Sequence, residues 1–163
     1  MNVAQIILSV LGTIFSLIYA YQVLFIIIGI FAKKVKYPEA KVEHTFAVLI
    51  SARNEEKVIG NLVQSIKDND YPQDKVKIFV VADNCTDNTA QICRDLGCTV
   101  FERFNQQYVG KGYALNFLFK NIAENFPDYE PDAFFLFDAD NVLTKNYIKE
   151  MNKALDKGVK VCT

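Results

Sequence analysis

Ala133-Phe134-Phe135-Leu136-Phe137-Asp138-Ala139-Asp140 is the stretch on which the fold turns. Five apolar residues in a row leave no solvent-facing period, so the run predicts a strand buried on both faces, as in a parallel sheet. Carboxylates that close such a strand stand at the carboxyl edge of the sheet, where open α/β folds place their ligands. Spaced i, i+2, two acids repel each other unless a cation lies between or beside them. A divalent metal carrying phosphates is one natural occupant, because hard oxygen donors suit magnesium or manganese. A polar loop that merely follows a strand is the alternative at this motif alone. A calcium-binding EF-hand loop is excluded, since Leu143 stands where its sixth-position Gly belongs.

Outward from this run the pattern alternates between strand and helix. Phe46–Ile50 reads as an apolar strand, and Val76–Ala82 as a second. Between them Asn54 is placed to cap a helix whose first turn carries Glu55 and Glu56 and whose buried stripe is Val58, Ile59, Leu62, Val63 and Ile66. Thr86 or Asp87 starts a further helix that stops at Gly97. Cys98–Phe101 reads as a third strand and Gly112–Phe126 as a third helix. After the acidic pair, a Thr144-capped helix runs through Leu155 and closes at Gly158, and Val159–Cys162 starts one more strand. Strands alternating with helices imply a mostly parallel sheet with right-handed crossovers, a Rossmann-like α/β arrangement.

The N-terminal segment is of another kind. Met1 to Ala32 carries no charged side chain and is crowded with Ile, Leu, Val and Phe. A helix of this length crosses a hydrocarbon core of about 30 Å. A cleaved signal peptide fits poorly, because no basic residue precedes the run and no small-x-small site closes it. Lys33, Lys34 and Lys36 follow at once, which by the positive-inside rule places the N-terminus outside and the rest of the chain in the cytoplasm. The expected organisation is therefore an anchor over 1–34, a linker over 35–45 and a domain over 46–163.

All 18 basic and 19 acidic residues fall after the apolar segment, nearly in balance. No basic stripe points to nucleic acid. The four cysteines show no Cys-x-x-Cys spacing and His44 is the only histidine, so zinc is not expected and free thiols are.

Three more polar clusters fall at strand ends. Ser51-Ala52-Arg53-Asn54-Glu55-Glu56 follows the first strand, and helix capping accounts for Asn54 and part of Glu56 but not for Arg53. Asp83-Asn84-Cys85-Thr86-Asp87-Asn88-Thr89 follows the second. Much of it is turn chemistry. Asp83, the first residue past a buried strand, is placed to accept a hydrogen bond from a nucleobase N–H. Gly110-Lys111-Gly112 allows close backbone approach around a point charge suited to phosphate. It is neither a Walker A loop nor a dinucleotide fingerprint, because the glycine and Ser/Thr positions those motifs require are filled otherwise.

Together the four clusters resemble the membrane-bound family 2 glycosyltransferases, which have the GT-A fold. Their Pro-x-Tyr-Asn-Glu is similar to Ser51-Ala52-Arg53-Asn54-Glu55, and their Asp-Asp-Gly-Ser-x-Asp-x-Thr to Ala82–Thr89. Their Gly-Lys-x-x-Ala-Leu-Asn is similar to Gly110–Asn116, and their Asp-x-Asp to Asp138-Ala139-Asp140. The resemblance implies a GT-A nucleotide-sugar-binding domain preceded by one transmembrane helix. It implies an inverting, metal-dependent transfer of a hexosyl-type sugar from a nucleotide-diphosphate donor, a UDP-sugar, to a glycan or lipid acceptor at the cell membrane, as in cell-envelope polysaccharide synthesis. Asp83 then reads the uracil ring, while Ala52, Arg53 and Glu55 line the nucleoside pocket. Lys111 neutralises the diphosphate, Asp138 contacts ribose or metal-bound water, and Asp140 ligates Mn2+ or Mg2+ directly.

Two positions depart from the family pattern. Arg53 stands for its Tyr, with a guanidinium able to stack on a base. Ala82 stands for an Asp, leaving Asp83 to serve alone. The family's general base and its Gln-x-x-Arg-Trp lie well beyond the Asp-x-Asp, so the base is expected beyond Thr163 and this chain is read as the donor-binding half. The competing reading is a membrane-anchored, non-catalytic nucleotide-binding or interaction module. Nucleotidyl transfer is a third, weakened by the lack of a basic phosphate loop near the first strand.

Overall fold

The structure, a computed structural model, describes residues 2–31 and 35–162, which form two compact units divided between Lys36 and Tyr37. Lys33 and Lys34, on which the orientation reading partly rests, lie outside the described residues.

The first unit is α1, Val3–Phe31, a single helix of 29 residues with no buried position. Its most apolar window has a mean hydropathy of 2.3 and it is long enough to cross a membrane. Leaving one Leu, Ile or Phe in water instead of burying it forgoes about 1.5–3 kcal/mol. A helix apolar on all sides therefore forgoes more than the whole stability of a typical domain, about 5–15 kcal/mol. Such a helix calls for an apolar surrounding.

The second unit is a three-layer α/β domain. Strands β1 (Phe46–Ala52), β2 (Val76–Asp83), β3 (Thr99–Arg103) and β4 (Ala133–Asp138) form one sheet in the order β3-β2-β1-β4. Every neighbouring pair is parallel. Helices α2 (Ile59–Lys67), α3 (Thr89–Asp95) and α5 (Tyr147–Asp156) belong to one face, and α4 (Lys111–Asn125) covers the other. Central β1 shows why: Phe46, Val48, Ile50 and Ala52 point into the first core, and Ala47 and Leu49 into the second. Alternate residues of a strand face opposite sides, so a strand between two helical layers must be apolar at every position.

The strand that opened the reading behaves differently. Strand β4 lies at the edge of the sheet, with Ala133, Phe135 and Phe137 turned toward α5 while Phe134 and Leu136 are 51% and 52% exposed. The expectation of burial on both faces fails here because α4 packs mainly over β1, β2 and β3 and covers that face of β4 only in part, Phe119 meeting Phe134 edge-on at 5.6 Å.

Other local readings shift as well. Asn54 does not cap α2, which starts at Ile59; it takes a left-handed conformation (φ 57°) and binds the neighbouring loop instead. Helix α3 starts at Thr89, and α5 at Tyr147 rather than next to Thr144. Val159–Cys162 forms no strand: the Gly158 and Val159 amides turn back onto Leu155 and Ala154, closing α5. The stretch read as a linker is strapped to the domain. Asn152 of α5 holds the Val42 carbonyl (2.8 Å) and the His44 amide (3.1 Å), and the buried Lys153 ammonium holds Glu39 (2.7 Å).

Candidate functional site

Parallel register brings the strand ends into line. Ala52 pairs with Ala82, Ser51 with Asp138, and Asp83 with Arg103. Asp83 and Asp138 thus flank the end of β1 from either side, about 12 Å apart by two inter-strand spacings and a two-residue stagger. All four polar clusters of the sequence meet at this edge.

Most of the first two clusters is consumed in joining two loops. The Asn54 carboxamide accepts from the Thr86 amide (2.7 Å), and the Thr89 hydroxyl from the Glu55 amide (2.8 Å). Asp87 accepts from the Thr89 amide (3.0 Å) and the Glu56 amide (3.2 Å), while Glu56 accepts from the Asn88 amide (3.0 Å). Partial burial works to raise the Asp87 carboxyl, yet the Thr89 hydroxyl and amide and the Glu56 amide hold it below the ordinary value. Burial pushes the Cys85 thiol up, so it stays protonated and is no nucleophile. Ala52 is buried, and its carbonyl accepts the Cys85 thiol (3.5 Å). The exposed Arg53 and the half-buried Glu55 are the members of the first cluster whose side chains remain open at the edge.

Asp83 sits in a network that the sequence did not disclose. It is 4% exposed and paired with the equally buried Arg103, Nη1 to Oδ1 2.5 Å. The other arm of the guanidinium donates to the Tyr108 carbonyl (2.5 Å). Asn84, left-handed at φ 54°, donates to Asp83 Oδ1 (3.1 Å) and to the Asn105 carbonyl (3.1 Å), and its own oxygen accepts the Asn105 amide (2.8 Å). The Asp83 carboxylate and the β3–α4 loop are thereby one hydrogen-bonded piece. The sequence pattern ends this strand at Phe101, whereas β3 runs on to Arg103. The signal was its place on the inward period Thr99, Phe101, Arg103.

That loop delivers Gly110, whose φ of 125° suits glycine alone, and then Lys111, the first residue of α4. The Lys111 ammonium forms an ion pair with Asp138. The turn after β4 is pinned by Asn141, whose side chain accepts the Asp138 amide (3.0 Å) and whose amide donates to the Asp138 carbonyl (3.1 Å). Ala139 is buried between Asp138 and Asp140, both exposed. Asp83, Lys111, Asp138 and Asp140 thus line one edge together with Arg53 and Glu55, whereas Ala52 contributes backbone only. Among the described residues no group of three or more His, Cys, Asp or Glu side chains forms a self-sufficient metal cage.

Known proteins share this fold. Over 125 residues the chain is 31% identical to beta-monoglucosyldiacylglycerol synthase of Synechocystis sp., covering 74% of this chain and 23% of that protein. The chain therefore spans less than a quarter of that relative's length. Among solved structures, the mannosyltransferase PcManGT of Pyrobaculum calidifontis, in complex with GDP-Man and Mn2+, superposes with a TM-score of 0.62 at 20% identity, over 85% of this chain and 39% of that one. The 1–349 fragment of TarS from S. aureus, in complex with UDP-GlcNAc, superposes with a TM-score of 0.56 at 25% identity, over 69% of this chain and 31% of that one. The fold is that of the GT-A glycosyltransferases. Residues 47–163, all but the first residue of the domain that the strand pattern delimits, match the glycosyl transferase family 2 profile, and the chain belongs to that family.

Proposed function

We propose that this chain binds the nucleotide-sugar donor of a membrane-associated, inverting glycosyl transfer, with a UDP-sugar as donor and a lipid or glycan as acceptor. The observation that carries the reading is the convergence at the carboxyl edge of acids and a lysine from the ends of β2, β4 and α4, with Asp140 and the Lys111–Asp138 pair left exposed to solvent. The TarS structure holding UDP-GlcNAc and the Synechocystis relative, named for a diacylglycerol glycolipid, support the donor and acceptor classes.

Asp83 accepts the base N–H, with the Arg53 guanidinium and the Glu55 carboxyl alongside the nucleoside. The first amides of α4 and the Lys111 ammonium face the diphosphate, since a helix N-terminus and a cation both favour an anion. As the donor enters, Lys111 leaves Asp138 for the phosphates, which frees that carboxylate. Asp138 and Asp140 suit a divalent cation on the chemistry of their donor set. They present exposed hard oxygens on one pinned turn, and Asp138 already takes a cationic partner in Lys111. Two carboxylates with open positions fit Mg2+ or Mn2+, which commonly complete their shells with water and substrate phosphate. The metal supplies Lewis acidity for the charge on the departing nucleoside diphosphate. An inverting transfer also needs a base for the acceptor hydroxyl. The residues assigned here bind and orient the donor, and none is given that role. With α1 in a bilayer and Lys36 on its C-terminal side, the domain faces the cytoplasm.

Calorimetric titration of the full chain in detergent with UDP and Mn2+ tests the reading. Binding that disappears with EDTA and in Asp140→Ala supports it. Absence of binding, or identical heats for the parent and Asp140→Ala, overturns it.

A further inference from the structure

Asp83 offers a ligand one oxygen, not two. Oδ1 is occupied by Arg103 Nη1 (2.5 Å) and by Asn84 Nδ2 (3.1 Å). Among the described residues Oδ2 accepts no hydrogen bond. It is also not sealed off, since among the described residues His44 Nε2 is the fully buried side-chain nitrogen or oxygen found without a partner. Arg103 cannot swing away freely, because its second arm is fixed on the Tyr108 carbonyl (2.5 Å) and the residue is 7% exposed. A carboxylate at the end of β2 is thus held in a buried frame with Oδ2 as its one uncommitted acceptor.

Resting on the donor-site reading above, we propose that Arg103, with Asn84, is the positioning residue that sets nucleobase specificity for uracil against guanine. A carboxylate with both oxygens free accepts two adjacent donors, which is what guanine presents through N1–H and its 2-amino group. Uracil presents one ring donor, N3–H, and needs one acceptor. At Asp83 the second guanine donor meets an oxygen that already accepts two hydrogen bonds, and beside it the N–H groups of a guanidinium. A buried donor left without an acceptor, at a site otherwise matched to the ligand, costs roughly 10- to 100-fold in affinity. Base discrimination therefore belongs to a residue on β3 that need not touch the base.

The test compares UDP and GDP, each with Mn2+, titrated into the full chain in detergent. UDP binding at least about tenfold tighter is expected. Arg103→Gln removes the guanidinium, and Asn84→Gly removes the second Oδ1 donor at a left-handed position that glycine adopts without strain. In each variant the UDP-to-GDP affinity ratio is expected to fall at least about threefold toward unity, whereas a merely structural loss weakens both nucleotides alike and leaves the ratio in place. Melting temperatures identify folded variants, and Asn84→Gly carries the test if Arg103→Gln does not fold. Equal affinities in the parent overturn this inference and leave the donor-site reading standing, as does an unchanged ratio in the folded variants. Binding of neither nucleotide overturns both.

Discussion

The two edges of the sheet are both rich in charge, and they differ in how far the charges are committed to the fold. At the amino edge, Lys153 is held by Glu39 and Glu150, Asn152 by both ends of the 42–44 strap, and Asp132 by the amide and hydroxyl of Thr45 (2.7 Å each). Burial, reinforced by the nearby Glu43 and Asp132, pushes the Tyr71 hydroxyl up to about 12, and that hydroxyl donates to the His44 carbonyl. A concavity of about 520 Å³ lies there, lined by Glu39, Asp70, Tyr71, Lys149 and Lys153, and it exceeds the hollows beside α4. Size is a poor guide in this case, because Lys153, 10% exposed on its side chain, is already held by two carboxylates. At the carboxyl edge the Lys111–Asp138 pair lies in solvent, with Asp138 64% exposed on its side chain, Asp140 and Arg53 are open, and Asp83 keeps one free oxygen. Polar groups tied into the backbone and buried hold a fold; convergent exposed ones, alone or in a single solvent-facing pair, are available to a ligand.

That contrast predicts a separation of effects. The largest is at Asp140. Asp140→Ala is expected to weaken Mn2+-dependent UDP binding about 100-fold or more, since even the outer partners of a metal ligand are worth 10- to 100-fold. The melting temperature should barely move, because the side chain is exposed. Next is Asn152→Ala, which strips the strap of a donor and an acceptor in a buried setting. It should cost about 2–3 kcal/mol in denaturant unfolding while leaving UDP affinity as in the parent. A drop in both would erase the distinction between the edges. Lys111→Ala should weaken UDP by about tenfold, the worth of one charge-assisted hydrogen bond, and weaken uridine itself very little.

The smallest effect is in the acid limb of stability. The Thr45 amide and hydroxyl hold the Asp132 carboxyl below its ordinary value, against a smaller burial cost. Its stabilisation is therefore whole above the unfolded value near 3.9 and is lost as pH falls from there through the lowered folded value. With the side chain 49% exposed, solvent screening keeps the effect to under about 1 kcal/mol. Asp132→Asn should flatten the stability profile below about pH 4, and an unchanged slope there would remove Asp132 from the amino-edge account.

Much of this could be read along the chain. The apolar β1 and β2, the helix stripe of Leu62, Val63 and Ile66, the stop at Gly97 and the acidic turn after β4 all depend on spacings of a few residues. What escaped was non-local. The neighbour of Asp83 is Arg103, twenty positions away, and the two meet only because β2 and β3 pair in one register. Asn54 carries the sequence signal of a helix cap, yet its oxygen goes to Thr86 on another loop.

The sequence by itself determined an uncharged helix of membrane-spanning length, an alternating α/β domain, and a set of acids and a lysine at strand ends. Those follow from local periodicity, which fixes where a side chain points along its own element. Only the tertiary structure decided that β4 lies at the edge of the sheet, that the 39–44 strap is docked on α5, and which oxygen of Asp83 remains free. Those depend on strand order, register and helix placement, and a contact between distant residues has no local period to betray it.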